Sequence, residues 1–287
     1  MVAIDKENFN NKLFSNIKNL VLEYNLIEEG DLIAVALSGG KDSVLTLHVL
    51  SALQKDSDFP FFDMVAISVD EGIKHYRDHG IEAARKNTGL LGVELVEKSF
   101  KEEMDYNLDD IVGYFKSGCI ACGVFRRNIL NRTAYEMGVD KIATGHNMDD
   151  EIQSYLMTFS RADILKFSKF GPISGKIHPK LVPRIKPLWL TAEKDVGMWA
   201  VINEMDIHLD ECPYSSVSLR SKTKNFLNQV ESKNPGIKRN IMNSFKEIFD
   251  IDPTNAIPGD CKRCGEPSSS DLCMACKIKD FIEENKD

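Results

Sequence analysis

Residues 31–43 read DLIAVALSGGKDS, from Asp31 to Ser43. The mostly apolar run at 31–37 is too short for a core helix and predicts a buried strand. Ser38, Gly39 and Gly40 end it, and residues 43–54 follow with helical spacing. Such a step puts free N–H groups and the positive end of a helix dipole at one point. Gly39 and Gly40 let the backbone approach an anion closely. Lys41 adds a point charge, and Ser38 and Ser43 add hydroxyls. The patterns G-x-x-x-x-G-K-[ST] and G-x-G-x-x-G are both absent. The plain alternative is an ordinary turn with Asp42 or Ser43 near the helix cap.

Further strands are predicted at 62–69, 92–96 and 141–144. Helical spacing recurs at 5–24, 74–88, 123–137 and 149–159. This alternation predicts an α/β, Rossmann-like parallel sheet with helices on both faces. Ligands of such sheets bind beyond the carboxyl ends of the strands. Residues 38–43, Asp70 and 145–150 fall there. Residues 168–187 are rich in Gly, Pro and Lys and read as a loop or insertion. Helices are expected at 191–205, 221–231 and 238–249, and a boundary near 252.

The chain has 287 residues and a formal net charge of −8. Its 43% hydrophobic content supports a buried core. No apolar run reaches the roughly 18–20 residues that span a bilayer, and residues 1–12 carry no secretory signal. A cytoplasmic protein with no membrane partner is expected. An acidic balance is not the usual mark of a nucleic-acid binder. Two stretches run against it. Residues 176–186 hold Lys176, Lys180, Arg184 and Lys186 without an acid; residues 220–239 hold six cations against Glu231. They read as solvated loops or as a track for a phosphate backbone.

The seven cysteines, an odd number, argue against a fully paired disulfide framework. Cys261-x2-Cys264 and Cys273-x2-Cys276 have the spacing of a tetrahedral zinc site, with iron or two redox pairs as alternatives. Lys262, Arg263, Lys277 and Lys279 decorate this ribbon and would suit RNA phosphate. Cys119 and Cys122 precede a helix carrying Arg126 and Arg127, a setting that lowers thiol pKa values. Cys212 stands apart in Asp210-Glu211-Cys212-Pro213-Tyr214. Three thiolates suit a [4Fe–4S] cluster with one open iron; a persulfide pair at Cys119 and Cys122 is the alternative. In residues 143–151, Gly145 permits close approach to a nucleotide. Asp149, Asp150 and Glu151 load the first turn of a helix, as plain helix energetics favours. In the functional reading Asp150 binds magnesium or acts as acid or base, and Arg126 stabilises phosphate or a developing oxyanion; His146 does either job of Asp150 or makes a buried structural hydrogen bond.

Ser-Gly-Gly-Lys-Asp-Ser after a first strand resembles the pyrophosphate loop of the adenine nucleotide alpha-hydrolase superfamily. The resemblance implies ATP cleavage between the α and β phosphates, with magnesium (Mg2+). It implies an ATP site of Ala36, Ser38, Gly39, Gly40, Lys41, Asp42, Ser43, Val69, Asp70 and Gly145, with Val69 and Asp70 near the adenosine. G-C-x-x-C-G-x-x-R-R, then A-T-G-H-N-x-D-D-E and a later C-P-Y, is similar to the tRNA 2-thiolation enzymes (the TtcA/TtuA family). The C-terminal ribbon points to their 2-thiouridine branch. That resemblance implies an ATP-dependent tRNA sulfurtransferase with Lys41, Asp150 and Arg126 as catalytic residues. It implies a [4Fe–4S] cluster on Cys119, Cys122 and Cys212, and Zn2+ on Cys261, Cys264, Cys273 and Cys276. It implies that uridine O2 is adenylated and that sulfide from the cluster replaces it at C2. It further implies a thiocarboxylated ubiquitin-like carrier or inorganic sulfide as sulfur donor, and a homodimer as the assembly to expect. Alternatives are 2-thiocytidine synthesis, a cluster-free persulfide route and a non-catalytic RNA-binding protein. Many members begin with a zinc finger; no cysteine precedes Cys119, so that finger is expected to be missing. The expected segments are an N-terminal helix (1–30), the pyrophosphate-loop catalytic domain (31–215), a helical tRNA-contacting segment (216–252) and a small zinc ribbon (253–287).

Overall fold

Strand β1 (Leu32–Ala36) is the centre of a five-stranded parallel sheet, ordered β3-β2-β1-β4-β5. The computed structural model describes residues 5–115, 117–163, 170–175, 177–215, 219–248 and 259–285. The other strands are β2 (Asp63–Asp70), β3 (Glu94–Ser99), β4 (Lys141–Ala143) and β5 (Arg184–Ile185). Ala34 stands opposite Val65 on one side and Ile142 on the other. The strand period of two splits β1 between two cores. Ile33 and Val35 enter the larger core, whereas Ala34 joins Val65, Ile67 and Ile142 on the opposite face. Burial on both faces explains why β1 is a continuous apolar run.

The larger core is closed by α1 (Lys6–Glu23), α2 (Lys41–Gln54), α3 (Arg77–Leu91), α7 (Met148–Ser160) and α8 (Glu193–Ile202). The other face is covered by α6 (Gly118–Glu136), through Phe125, Ile129 and Ala134. Helices α9 (Leu219–Lys233) and α10 (Ile237–Ile248) lean on α7, with the Phe245 and Tyr155 rings stacked at 4.2 Å. The C-terminal ribbon pairs β6 (Gly259–Asp260) with β7 (Pro267–Ser268) and ends in α11 (Met274–Glu284). Ile278 and Ile282 of α11 enter one apolar cluster with Phe100 and Phe125, so the ribbon is packed onto α6. No helix among the described residues is long and apolar enough to cross a membrane.

Three expectations change. Residues 168–187 contain β5, whose two residues are too few for a periodic signal. Residues 100–114 fold into α4 (Phe100–Met104), α5 (Leu108–Ile111) and a 3-10 turn (Val112–Tyr114), all below the length that periodicity detects. Helix α6 begins at Gly118 rather than 123, so the Cys119–Cys122 pair lies inside its first turns. The boundary expected near 252 lies outside the described residues.

Candidate active site

The loop after β1 is held by sterics that only glycine meets. Gly39 has φ +83°, and a Cβ there would lie 2.0 Å from the Gly80 carbonyl oxygen. Gly40 caps α2, leaving its first N–H groups without a side-chain cap. Ser43 Oγ donates to the Gly40 carbonyl at 2.9 Å and accepts the Ser38 N–H at 3.2 Å. From the next strand, Gly145 presses onto the loop, where a Cβ would come within 2.7 Å of the Asp42 carbonyl carbon. Asn147 reaches from α7 to Asp42 Oδ1 at 2.7 Å.

Lys41 Nζ bonds Asp42 at 2.9 Å and Glu193 at 3.0 Å. Burial pulls the Lys41 pKa down, but those two carboxylates outweigh it and the net shift is upward. A cavity of about 470 Å³ opens beside Lys41, also lined by Glu193, Asn228 and Lys238. The acidic triplet divides its labour. Asp149 accepts from the Glu193 N–H at 2.8 Å and from Lys238 Nζ. Glu151 takes Lys186 at 2.7 Å and the Trp189 indole at 3.2 Å. Asp150 forms a capping box with Asn147 and meets Arg220 at 3.3 Å. Burial pushes its pKa up to about 6 against the pull of Arg220, with Asp42 and Glu193 adding to the rise. His146 moves the other way, to about 4, through burial and the cations Lys186, Arg220, Arg184 and Arg126. It is therefore neutral near pH 7, with Nδ1 2.9 Å from Thr144 Oγ1.

Ala36 lies at the carboxyl end of β1. Val69 turns its side chain into the α6-side core, so only its backbone is offered to a nucleotide. Its carbonyl accepts Arg77 Nε at 2.9 Å. Asp70 accepts the Gly72 N–H at 2.8 Å and borders a separate cavity of about 380 Å³.

Cys119 and Cys122 sit one turn apart on α6, and Cys212 approaches from the loop after His208. Cys119 Sγ lies 3.8 Å from the Tyr214 carbonyl, two residues beyond Cys212. The Cys122 thiol feels Arg126, Glu71, Cys212 and Cys119. Its pKa is pushed up to about 12, because burial outweighs Arg126; the expected lowering does not hold for this thiol. Burial likewise raises Cys212. Three converging, partly solvent-open sulfurs are a donor set that fits a three-cysteine [4Fe–4S] cluster.

Sequence reasoning missed the link between the two centres. Arg77 donates to the Ser38 carbonyl on the loop, to Ser68 Oγ at 2.8 Å, and pairs with Glu71 at 2.8 Å. Glu71 also takes Arg126 at 3.3 Å. Arg77 and Glu71 are each 5% exposed. This Ser38–Arg77–Glu71–Arg126 relay joins the loop to the helix that carries Cys122. An Arg and a Glu six residues apart look like ordinary surface charges in a sequence, so no local signal marks them.

The ribbon cysteines gather within 4.8 Å of one another. Sγ of Cys264 and Cys273 are 3.5 Å apart, and those of Cys261 and Cys276 are 3.9 Å apart. Tetrahedral zinc at about 2.3 Å from each sulfur needs edges of about 3.8 Å, so the residues fit the ion. The ribbon cations are mostly spent on carboxylates: Lys262 on Asp271 and Arg263 on Asp280 within the ribbon, and Lys279 on Asp105 outside it. Lys224, Lys238, Arg220 and Lys186 are likewise paired. Lys176 lies outside the described residues.

A family model described as a PP-loop domain (ATP_bind_3) matches residues 7–230. The chain is 38% identical over 271 residues to cytoplasmic tRNA 2-thiolation protein 1 of Oryza sativa subsp. japonica, covering 93% of this chain and 74% of that protein. It is 33% identical over 267 residues to the tRNA 2-thiolation protein NcsA of Haloferax volcanii, covering 87% and 82%. Among solved structures it is similar to the U34-tRNA thiolase NcsA from Methanococcus maripaludis with its [4Fe-4S] cluster. That match has a TM-score of 0.80 and 34% identity, over 97% of this chain and 89% of that one.

Proposed function

The chain belongs to the PP-loop family of tRNA 2-thiolation proteins, and from that premise we propose that it is an ATP-dependent tRNA sulfurtransferase making 2-thiouridine. One observation supports the reading above the others: the Ser38–Arg77–Glu71–Arg126 relay links the phosphate loop to the helix that carries Cys119 and Cys122. By likeness to the M. maripaludis thiolase, the target is uridine 34.

The loop amides, Ser38, Ser43 and Lys41 bind the β and γ phosphates and stabilise pyrophosphate as it leaves. Magnesium arrives with the nucleotide phosphates, as it commonly does, keeping most of its waters. Uridine O2 attacks the α-phosphorus, the bond to pyrophosphate breaks, and the N3 proton passes to Asp150. A carboxylate with a pKa of about 6 suits that base role near neutral pH. O2 then leaves as AMP when sulfur adds at C2, and N3 regains its proton. Arg126 stabilises the negative charge that develops. Cys119, Cys122 and Cys212 would hold a [4Fe–4S] cluster, which when bound supplies an iron coordination position for the sulfur. Cys261, Cys264, Cys273 and Cys276 would hold structural zinc. The donor is a thiocarboxylated carrier or inorganic sulfide, the 216–252 segment contacts tRNA, and the protein works in the cytoplasm as a homodimer.

The test is anaerobic incubation of the protein with ATP, sulfide and an unmodified tRNA transcript, followed by nucleoside mass spectrometry. One 2-thiouridine per tRNA is expected. A 2-thiocytidine product would overturn the assignment of the base, and no thionucleoside at all would overturn the reading itself.

A further inference from the structure

Three guanidinium groups crowd together beside the cysteine site with almost no neutralising charge. Arg126 and Arg127 project from α6, and Arg184 from β5 at the sheet edge. Arg184 Nη2 lies 3.5 Å from the Arg127 carbonyl oxygen. Gly123 is what lets Arg127 fold back over its own helix: a Cβ there would come 3.2 Å from Arg127 Nη1. Arg127 and Arg126 both feel Cys122, so the cluster borders the sulfur chemistry.

The charges do not balance. Arg126 has one carboxylate, Glu71, which Arg77 already shares. Among the described residues, Arg127 and Arg184 have no carboxylate partner. Burial and mutual repulsion lower the Arg184 pKa to about 10, and they lower that of Arg127 as well. Arg126 keeps 47% side-chain exposure, so a solute can reach it. Like charges gathered in this way destabilise the fold unless an anion joins them. Such concentrated, unspent charge marks a binding site.

We infer that Arg127 and Arg184, with Arg126, form a subsite for a phosphodiester group of the RNA substrate, beside the base that is being modified. This rests on the function proposed above. Guanidinium forks match phosphate oxygens in pairs. The nucleotide's own phosphates must lie near its base, and the base must reach Cys122. The triphosphate has its own cradle: β5 is two strands from β1, about 10 Å across the sheet.

The test compares the full chain with Arg127→Gln and Arg184→Gln, and with Arg127→Lys as the charge-retaining control. The readings are binding of an unmodified tRNA transcript at several salt concentrations, binding of ATP, and the thermal midpoint. Each Gln variant is expected to weaken tRNA binding about 5- to 20-fold and to flatten the salt dependence by about 0.7–0.9 in log–log slope. ATP affinity should stay within twofold, and the midpoint without RNA should rise through relieved repulsion. Arg127→Lys should keep the salt slope. Unchanged tRNA affinity and slope would overturn the inference, as would an equal loss of ATP affinity. Binding needs no turnover, so a wild type that binds tRNA through these residues but makes no thionucleoside would overturn the function and leave this site standing.

Discussion

The two cysteine systems border the same apolar cluster yet are built in opposite ways. In the ribbon, four thiols come from 16 consecutive residues and meet within 4.8 Å. Backbone N–H groups of Cys264, Cys273 and Arg263 outweigh burial there and lower Cys261 to about 6. In the cleft, two thiols come from one helix and the third from about 90 residues away. Burial raises Cys122 to about 12, and Cys119 stays exposed. The first set of sulfurs has the spacing to close around an ion; the second is not closed in that way. Structural and reactive sites differ in that way generally, because saturated ligation shields a metal and an open position exposes it.

The largest expected effect tests this contrast directly. Cys122→Ala should abolish thiolation, by more than about 100-fold, and reduce iron from about four per chain to background while about one zinc remains. Metal analysis of anaerobically purified protein checks it; iron retained at wild-type level would break the comparison. Next, Lys41→Ala should slow adenylation about 100-fold while tRNA affinity changes by less than threefold, measured by pyrophosphate release and filter binding. In the ribbon, Cys276→Ser should release zinc and lower the thermal midpoint by several degrees, about 2–4 °C per kcal/mol for a domain of this size. Because α11 packs on α6, iron content should fall partly too; a midpoint unchanged by zinc loss would mean that the ribbon is not a structural support.

A smaller effect concerns pH. The folded-state pKa of Asp150 is about 6, above the 3.8 of the free side chain. Between those values the folded state binds more protons than the unfolded one, so this group's contribution favours folding below pH 4 and is lost as pH rises through 6. Asp150→Asn should remove about 1 kcal/mol of that pH dependence, after discounting for partial exposure and the lost Arg220 contact. Denaturant titrations at pH 5 and pH 7 give the value; identical differences in both proteins would refute it. The smallest effect is expected at Lys262→Ala, where the charge is already spent on Asp271. Its tRNA affinity should change by less than twofold, and a tenfold loss would restore the ribbon as a phosphate track.

Where the physics was local, the sequence could be read. A strand, two glycines and a lysine described the phosphate loop, because a tight turn into a helix is decided by neighbouring residues. The ribbon followed for the same reason, since two x2-spaced pairs put four thiols within reach. The Asn147–Asp150 capping box was foreshadowed by the acidic first turn. What was less legible lies where partners are remote. Val69 was expected near the adenosine; its side chain is in the core, so that expectation rests on its backbone alone. The ribbon cations were expected to face RNA, and acids distant in sequence claim Arg263 and Lys279. Arg77 and Glu71 gave no signal, and Arg184 showed only as one cation of the basic stretch 176–186.

The sequence by itself determined the parallel α/β sheet, the pyrophosphate loop and the four-cysteine ribbon. These depend on periodicity and spacing within a few residues. Only the tertiary structure decided that the loop of Cys212 and Tyr214 packs on the start of the helix bearing Cys119, that Glu71 and Arg77 tie this helix to Ser38, and which cations remain unneutralised. Charge compensation acts through space, and its partners here lie up to 174 residues apart along the chain.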